Sequence, residues 1–347
     1  MRLARNRFAF LTAVLKAREA KGVRYHMLEE ILLRAATMAE AVDFMKGADL
    51  GGFLAEYGAA RFDEMDNLLW KYLDHYFDRV RRLKLDPSTV RLIDRYLHKY
   101  DVTNIISALR TAVFQRPAHM IPAGTLFDQG LLNDLSRAQS PGEVASVLVM
   151  GRMAEYAEPI RNMTEIDRRG LGQAERGLDH LYLKLLRETL QHMDDHEILL
   201  RAHGILLDHL ILGRVLRAAA SGAAGMIDKR GALSGGCLLT PDLVQGLAGL
   251  KIQEIAGKLE ETPYHAIVRE IARQVEQQGP YVVDRIMESE LLLRVRELLS
   301  PRPLSPCAVL WHLIFKEHEV RNVRVALKAV EDRLPLAEVK DYLAAGV

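Results

Sequence analysis

The chain has 347 residues, 49% hydrophobic and 27% charged, so it is long enough to bury a sizeable core and too apolar for a disordered protein. Its 47 basic and 46 acidic residues nearly cancel, which argues against a nucleic-acid-binding protein that depends on a strong basic excess. Cys237 and Cys307 are too few for a disulfide framework or a four-cysteine zinc site, and they fit a reducing compartment.

Helical spacing of apolar residues predicts helices along nearly the whole chain, and strand alternation is nearly absent. After a helix over residues 27–35, Thr37 is expected to cap the next one, and a long helix is expected over 63–85. Asp86-Pro87 predicts a helix start, because proline lacks an N–H that has no partner in the first helical turn. Further helices are predicted over 177–193, 198–218, 243–259, 282–299 and 308–330, with breaks at 116–122, 221–236 and 300–306.

A ten-residue motif occurs three times without gaps, as DVTNIISALR from Asp101, DHLILGRVLR from Asp208 and EVRNVRVALK from Glu319. Each copy opens with an acid, has an aliphatic fifth residue and closes with a leucine and a base: Leu109 and Arg110, Leu216 and Arg217, Leu327 and Lys328. The fourth residue is Asn104 in the first copy and Asn322 in the third, whereas the second copy has Ile211. An aspartate also enters a long apolar-striped helix upstream of each copy: Asp66, Asp179 and Asp284.

A repeat of roughly one hundred residues is too long for tetratricopeptide or ankyrin units. We therefore predict three copies of one helical subdomain, at residues 1–115, 116–222 and 223–347. Within each motif, the acid and the base are expected to match the helix macrodipole, and the aliphatic residues to pack inward. An asparagine beside that face is expected to bind a neighbouring backbone. The motif is thus interpreted as structural, with an interaction or site role as the alternative.

Other candidate chemistry is weaker. His192 and His196 have the i, i+4 spacing that can bind zinc on a helix, but Met193 stands where a zincin has glutamate. Glu317-His318-Glu319 could suggest acid–base chemistry, but it lies at the third motif, where neighbouring side chains point in different directions, so a structural role is favoured. Glycines between 222 and 236 lack phosphate-loop spacing and predict a connector. The basic cluster Arg79, Arg81, Arg82 and Lys84 is interpreted as a solvated helix face or, alternatively, an edge that meets an acidic partner or lipid headgroups.

The three motifs, with YDVTNIISALR ending at Arg110 and KEHEVRNVR beginning at Lys316, resemble the C subunit of A/V-type rotary ATPases, whose eukaryotic V-type counterpart is the d subunit. The segment LEETPY from Leu259 and the early helices over 28–45 are similar to that family too. The resemblance implies an all-α protein whose three homologous subdomains form a funnel with pseudo-threefold symmetry.

It further implies a non-catalytic rotor subunit without a cofactor or a small-molecule substrate. Its partners would be the central-stalk subunits and the membrane proteolipid ring, and its place the cytoplasmic face of the membrane, as a peripheral protein. The protein would pass torque between the central stalk and the proteolipid ring in ATP-linked proton or sodium transport. Two other hypotheses stay open: a free-standing α-helical repeat scaffold for protein–protein interaction, and an all-helical enzyme that uses His192 and His196. No apolar run reaches the roughly 18 residues of a membrane span, and we expect no signal peptide.

Overall fold

A computed structural model describes residues 2–58, 61–83, 85–116, 119–162, 170–222 and 236–343, with the side chains of 2–7 and 162 outside the description. Over these residues the regular structure consists of α-helices and one short 3-10 turn, Lys340–Tyr342, and contains no strand. An all-α fold was predicted and is confirmed. None of the described helices combines the length and apolarity needed to cross a bilayer.

The helices run in this order along the chain: α1 Arg2–Ala20, α2 Tyr25–Arg34, α3 Met38–Phe44, α4 Asp49–Ala55, α5 Phe62–Arg81, α6 Pro87–Phe114, α7 Thr125–Asp128, α8 Leu132–Arg137, α9 Pro141–Met150, α10 Ala154–Asn162, α11 Leu171–Gln191, α12 His196–Ala220, α13 Pro241–Leu247, α14 Ile252–Lys258, α15 His265–Gln278, α16 Val282–Leu299, α17 Pro306–Asp332 and α18 Leu336–Val339.

Local sequence signals fix several of these boundaries. The Thr37 side chain accepts a hydrogen bond from the Glu40 N–H and caps α3, as predicted. Asp86 caps α6, whose first residue is Pro87, as predicted. The helix predicted over residues 282–299 is present as α16, with the same bounds. The predicted helix over 243–259 is wrong, because it is divided into α13 and α14. Gly249, between them, has φ +90°, a left-handed conformation that a continuous helix does not contain.

Among the described residues, six long helices after α1 form three consecutive pairs that dominate the architecture. Pair 1 is α5 and α6, pair 2 is α11 and α12, and pair 3 is α16 and α17. The second helix of each pair packs against the first helix of the following pair, α6 on α11 and α12 on α16. The series closes because α17 packs on α5, and also on α1, α2 and α3 near the start of the chain.

Within the described residues, the apolar interior is divided into three clusters that the long helices share. In α6, Leu92 and Leu97 belong to a large cluster with the N-terminal helices and α17, while Ile105 and Leu109 belong to a cluster with α9 and α10. Likewise, Leu199 of α12 joins the large cluster, and Leu212 joins the cluster around α14 and α15. The predicted subdomain boundaries at 115 and 222 stay a prediction, and residues 223–235 of the glycine-rich segment lie outside the described residues.

Candidate functional site

Each ten-residue motif lies in the interior of a long helix, α6, α12 or α17. The fifth and ninth residues of all three copies are fully buried, which confirms that they pack inward: Ile105 and Leu109, Leu212 and Leu216, Val323 and Leu327. The macrodipole explanation is wrong for the acids, because Asp101, Asp208 and Glu319 are more than three turns from the start of their helices. Of the bases, only Arg217 lies in the last turn of its helix. These three acids are buried, so their role has to be found in their hydrogen bonds.

In the first copy, Asp101 holds the first turn of α7. Its carboxylate oxygens accept hydrogen bonds from the N–H groups of Thr125, at 3.0 Å, and Leu126, at 2.9 Å. Asn104 accepts from the Ile121 N–H at 2.7 Å and donates to the Ile121 carbonyl at 2.9 Å, so the predicted asparagine–backbone contact is present. The two bonds to Asp101 satisfy N–H groups in the first turn of α7, where no helical partner exists, and the Asn104 bonds hold the segment before it.

In the second copy, Asp208 performs the same task for the segment before α13. It accepts from the N–H groups of Leu238, at 2.8 Å, and Leu239, at 3.1 Å. Ile211 stands where the first copy has asparagine, and the additional donor comes from the LEETPY segment, whose buried Tyr264 hydroxyl donates to Asp208 at 2.8 Å.

In the third copy, Glu319 reaches the N-terminal part of the chain. Its carboxylate accepts from the Val23 N–H, directly before α2, at 2.8 Å, across 296 residues of sequence. The Lys316 ammonium donates to the other carboxylate oxygen at 2.5 Å, and both side chains are inaccessible to solvent. Asn322 is buried beside them. All three acids therefore bind backbone N–H groups in the first turn of another helix or just before it, and the third one closes the series.

The bases that end the motifs reach the first helix of the following pair. Arg110 makes a two-pronged contact with Glu175 of α11, at 2.7 and 2.9 Å. Arg217 pairs with the landmark aspartate Asp284 of α16. Lys328 lies 5.3 Å from the Phe62 ring centroid at the start of α5 and pairs with Asp332 in its own helix.

The other two landmark aspartates also pair with arginines of motif helices. Asp66 of α5 binds Arg324 of α17, and Asp179 of α11 binds Arg214 within its own pair, at 3.3 Å. For Asp66, as for Asp284, the partner comes from the preceding pair in the closed order. The pairs made by Asp66 and Asp284 join neighbouring helix pairs. Asp66 is buried, whereas Asp179 and Asp284 are partly exposed, and exposed single ion pairs contribute little stability.

A cavity of about 400 Å³, here called the inter-pair cavity, lies between α6, α11, α12, α16 and α17. Each motif helix contributes three equivalent residues to its wall, at five positions before the motif acid, two positions before it and two positions after it. These are Tyr96, His203 and Ile314; Lys99, Leu206 and Glu317; and Thr103, Leu210 and Arg321. Residues two apart on a helix are about 200° apart. Each motif helix thus turns its acid to a loop and its opposite face to the cavity.

All three pairs supply charged residues to this cavity: Lys99 from pair 1, Asp179 and Arg214 from pair 2, and Glu288, Glu317 and Arg321 from pair 3. The Lys99 ammonium pairs with the Glu317 carboxylate, to which the Tyr96 hydroxyl also donates, at 2.5 Å. Burial disfavours the Glu317 carboxylate, but Lys99 and its other polar neighbours outweigh that effect and lower the pKa. Arg321 pairs with Glu288 of α16.

Histidines occupy two further positions of the wall. Burial lowers the pKa of His318 to about 4, although Glu317 opposes this, and the ring lies 3.5 Å from Glu288. Burial also lowers the pKa of His203 to about 4, and its Nε2 lies 3.0 Å from the Leu183 carbonyl. Both rings are therefore neutral near pH 7.

The sequence did not predict the inter-pair cavity. The sequence did contain a signal for it. The residues two positions before and two positions after each motif acid lie on the helix face opposite that acid, and in all three copies this face points to the same space. The expected divergence of Glu317-His318-Glu319 is confirmed: Glu317 and His318 line the cavity, and Glu319 binds Val23 on the other side of α17.

The other sequence candidates are dispersed over the surface and interior. His192 follows the end of α11 and His196 begins α12, so they do not lie on one helix as their spacing suggested. The described part of the chain contains no group of three or more metal-binding side chains. Cys237 is exposed and Cys307 is buried.

Acidic side chains of the same chain partly neutralise the basic cluster of Arg79, Arg81, Arg82 and Lys84. Arg81 pairs with Asp94 at 2.8 Å and with Asp128 at 3.0 Å, and Arg82 pairs with Asp78. Arg79 is exposed, and Lys84 lies outside the described residues. The interpretation as a solvated helix face fits Arg79 and Arg82.

A closed series of helix pairs around a cavity defines an all-α protein built from a repeated motif helix. The chain belongs to the ATP synthase (C/AC39) subunit family, whose family model matches residues 11–342. It is 25% identical over 343 residues to the C subunit of the A-type ATP synthase of Pyrococcus horikoshii, covering 97% of this chain and 90% of that protein. The same protein of Thermococcus onnurineus is 24% identical over 344 residues, with the same coverage.

Proposed function

We propose that this protein is a non-catalytic subunit of a V/A-type rotary ATPase that couples the central stalk to the membrane proteolipid ring. Membership of the ATP synthase (C/AC39) subunit family supports this assignment, as do the relatives named as C subunits of A-type ATP synthases. In this role the protein passes torque during ATP-linked proton or sodium transport, at the cytoplasmic face of the membrane, and needs no cofactor or small-molecule substrate.

The observation that carries the proposal is the closed order of the three pairs around one cavity. Equivalent positions of three related helices face that cavity, so we propose a funnel of three subdomains, at 1–115, 116–222 and 223–347, about a pseudo-threefold axis. Closure onto α1, α2 and α5 distinguishes this arrangement from a solenoid, in which each repeat contacts only its neighbours along the chain. A free-standing scaffold of stacked repeats is the less favoured alternative.

Shared helices suit the transmission of torque. Because α6 and α12 each contribute to two apolar clusters, one unit cannot turn against the next without disrupting close packing. Protein interiors are packed as densely as organic crystals and deform little. The chain can therefore transmit a rotation as one stiff body between a shaft and a ring.

We assign the inter-pair cavity as the seat of the stalk tip. Leu210 is 38% exposed at this cavity, and an exposed leucine among charged groups suits contact with an apolar side chain of a partner. The size agrees, since about 400 Å³ holds roughly one turn of an α-helix with its side chains. The ring would then contact another surface of the funnel.

A pull-down tests this function. A tagged chain, recovered from membranes solubilised in mild detergent, should bring down both the proteolipid and the stalk subunits. Leu210→Asp should lower recovery of the stalk subunits about tenfold, because a charge replaces an apolar interface contact. Leu293→Asp is the matched control, since Leu293 is 49% exposed on α16 and does not line the cavity. Recovery of unrelated partners without ATPase subunits would favour the scaffold and refute the proposal.

A further inference from the structure

Pair 1 holds the start of α7 with two buried carboxyl groups. Asp74 of α5 is 8% exposed and accepts a hydrogen bond from the Gly124 N–H at 3.1 Å. Asp101 of α6 binds the next two N–H groups along the chain. Three successive N–H groups at a helix start, where no helical partner exists, are therefore bound by carboxyl oxygens. Because α7 lies in the chain that leads from pair 1 to pair 2, this contact, here called the α7 clamp, is a joint between them.

A second acid meets Asp74 in the α7 clamp. The carboxyl groups of Asp74 and Asp128, the last residue of α7, are hydrogen-bonded to each other. Two ionised carboxylates have no hydrogen to donate and repel each other, so this bond requires one proton that the two groups share. Both side chains line an open groove beside α5, through which that proton can exchange with water.

The surroundings of the two acids are rich in negative charge. Arg81 of α5 pairs with Asp128, but it also pairs with Asp94. The buried Asp101 carboxyl lies behind Gly124, where a Cβ would come within 2.8 Å of its Oδ1. Other charged or titratable residues that line the groove are Lys71, His75, Asp78 and Arg79 on α5, and Lys21, Lys46, Asp49 and Glu56 around α4. Their four bases and three acids nearly cancel, so they do not replace the shared proton.

The pKa of Asp74 follows from this geometry. Burial, followed by the nearby Asp128, raises it to about 7, against the opposing effects of the Gly124 N–H and Arg81. In an opened segment, the pKa of an aspartate is about 3.9. The closed clamp therefore binds more protons than the opened segment between pH 3.9 and 7. The contribution of this proton to the clamp is complete below about pH 3.9 and is lost as the pH rises through 7.

We propose that Asp74 and Asp128 share one proton, and that loss of this proton loosens the hold of pair 1 on α7 and makes the joint between pairs 1 and 2 sensitive to pH. When the proton passes to water, the charge of the two carboxyl groups changes from −1 to −2, and their repulsion is relieved as α7 moves away from α5. This device does not depend on the proposed function, so a failed pull-down of ATPase subunits would leave it untouched.

Asp74→Asn tests the clamp, because its amide keeps an acceptor for the Gly124 N–H and donates to Asp128 without a titrating proton. Asp78→Asn, one turn along α5 in the same groove, is the matched control. Hydrogen exchange read by mass spectrometry measures the opening of residues 121–128 at pH 5 and 7, corrected for the intrinsic rate of each amide. Groups common to all three proteins, such as His75, cancel in the comparison.

From pH 5 to 7, the opening constant should rise at least about tenfold more in the wild type and in Asp78→Asn than in Asp74→Asn. Equal rises in all three proteins would overturn the proposal.

The shared proton can also be observed in the wild-type chain by carbon-13 NMR of labelled aspartate carboxyl groups. A titration near neutral pH should be present in the wild type and in Asp78→Asn and be lost in Asp74→Asn. Asp101, whose pKa burial also raises to about 7, should keep its own titration in all three. If every aspartate of the wild type were ionised at pH 5.5, the proposal would be refuted without any variant.

Discussion

The Tyr264 hydroxyl donates a hydrogen bond of 2.8 Å to Asp208, which joins the LEETPY segment to the acid of the second motif. Both residues are fully buried. Asp208 already accepts two backbone N–H groups from the segment that enters α13, so the tyrosine completes the set of donors around one carboxylate. Burial, followed by the nearby Asp208, raises the pKa of Tyr264, which keeps its hydroxyl protonated as a donor.

Tyr264→Phe should therefore lower the free energy of unfolding by about 1–3 kcal/mol, because it removes one donor from a buried carboxylate. Urea denaturation monitored by circular dichroism measures this change. Tyr281→Phe is the control, since Tyr281 is 48% exposed, and it should lie within about 0.5 kcal/mol of the wild type. Equal stabilities of the two variants would show that the bond contributes nothing measurable.

The backbone at Gly236 lies close to the Asp208 carboxylate, and a substitution there tests how close. A Cβ at this position would overlap Asp208 Oδ1, so Gly236→Ala should destabilise the protein by about 1–3 kcal/mol through overpacking. Gly246→Ala is the matched control within α13, because a Cβ there meets nothing within 4 Å. It should stabilise the protein by about 0.5–1 kcal/mol, the usual preference for alanine inside a helix. Thermal melting of both variants measures the two changes in stability. Changes of the same sign would contradict a close approach of the Gly236 backbone to Asp208.

Glu319 holds the contact between the two ends of the chain. Glu319→Ala removes both the counter-charge of the buried Lys316 ammonium and the acceptor of the Val23 N–H, and should cost about 3–5 kcal/mol. Hydrogen exchange at the Val23 amide should accelerate more than exchange in α12. Asp332→Asn breaks the exposed pair with Lys328 and should change stability by less than about 0.5 kcal/mol. Unchanged exchange at Val23 in the Glu319 variant would mean that this bond does not hold the N-terminal segment.

His203 makes stability depend on pH in a defined window. Because burial lowers its pKa to about 4 in the folded protein, from about 6.5 in the unfolded chain, the unfolded state binds more protons between these values. Its contribution is therefore complete above pH 6.5 and is lost as the pH falls toward 4.

His203→Gln, which keeps an N–H donor for the Leu183 carbonyl, should reduce the slope of unfolding free energy against pH by up to about 1.4 kcal/mol per pH unit. Urea titrations at pH 4.5, 5.5 and 6.5 measure the slope, and Leu293→Gln, which removes no titratable group, is the control. A slope in the His203 variant equal to that of the control would show that the ring is not desolvated.

Several helix boundaries could be predicted because their causes are local. Thr37, and Asp86 with Pro87, act on the first turn of the helix that they begin, so nearby sequence is sufficient. The inward direction of Leu109, Leu216 and Leu327 follows from spacing in the same way. The break between α13 and α14 was missed, because apolar spacing continued across Gly249 while its backbone conformation did not.

The sequence by itself determined an all-helical chain, a motif repeated three times and the apolar face of each copy, since all of these depend on contacts within a few turns of helix. Only the tertiary structure decided what the motif acids bind, how the pairs close and where the cavity lies. The bond from Glu319 to Val23 joins residues 296 positions apart, and no local periodicity encodes a partner at that distance. It forms because α17 packs against α1, α2 and α5, and that packing depends on the complementary shapes of whole helices.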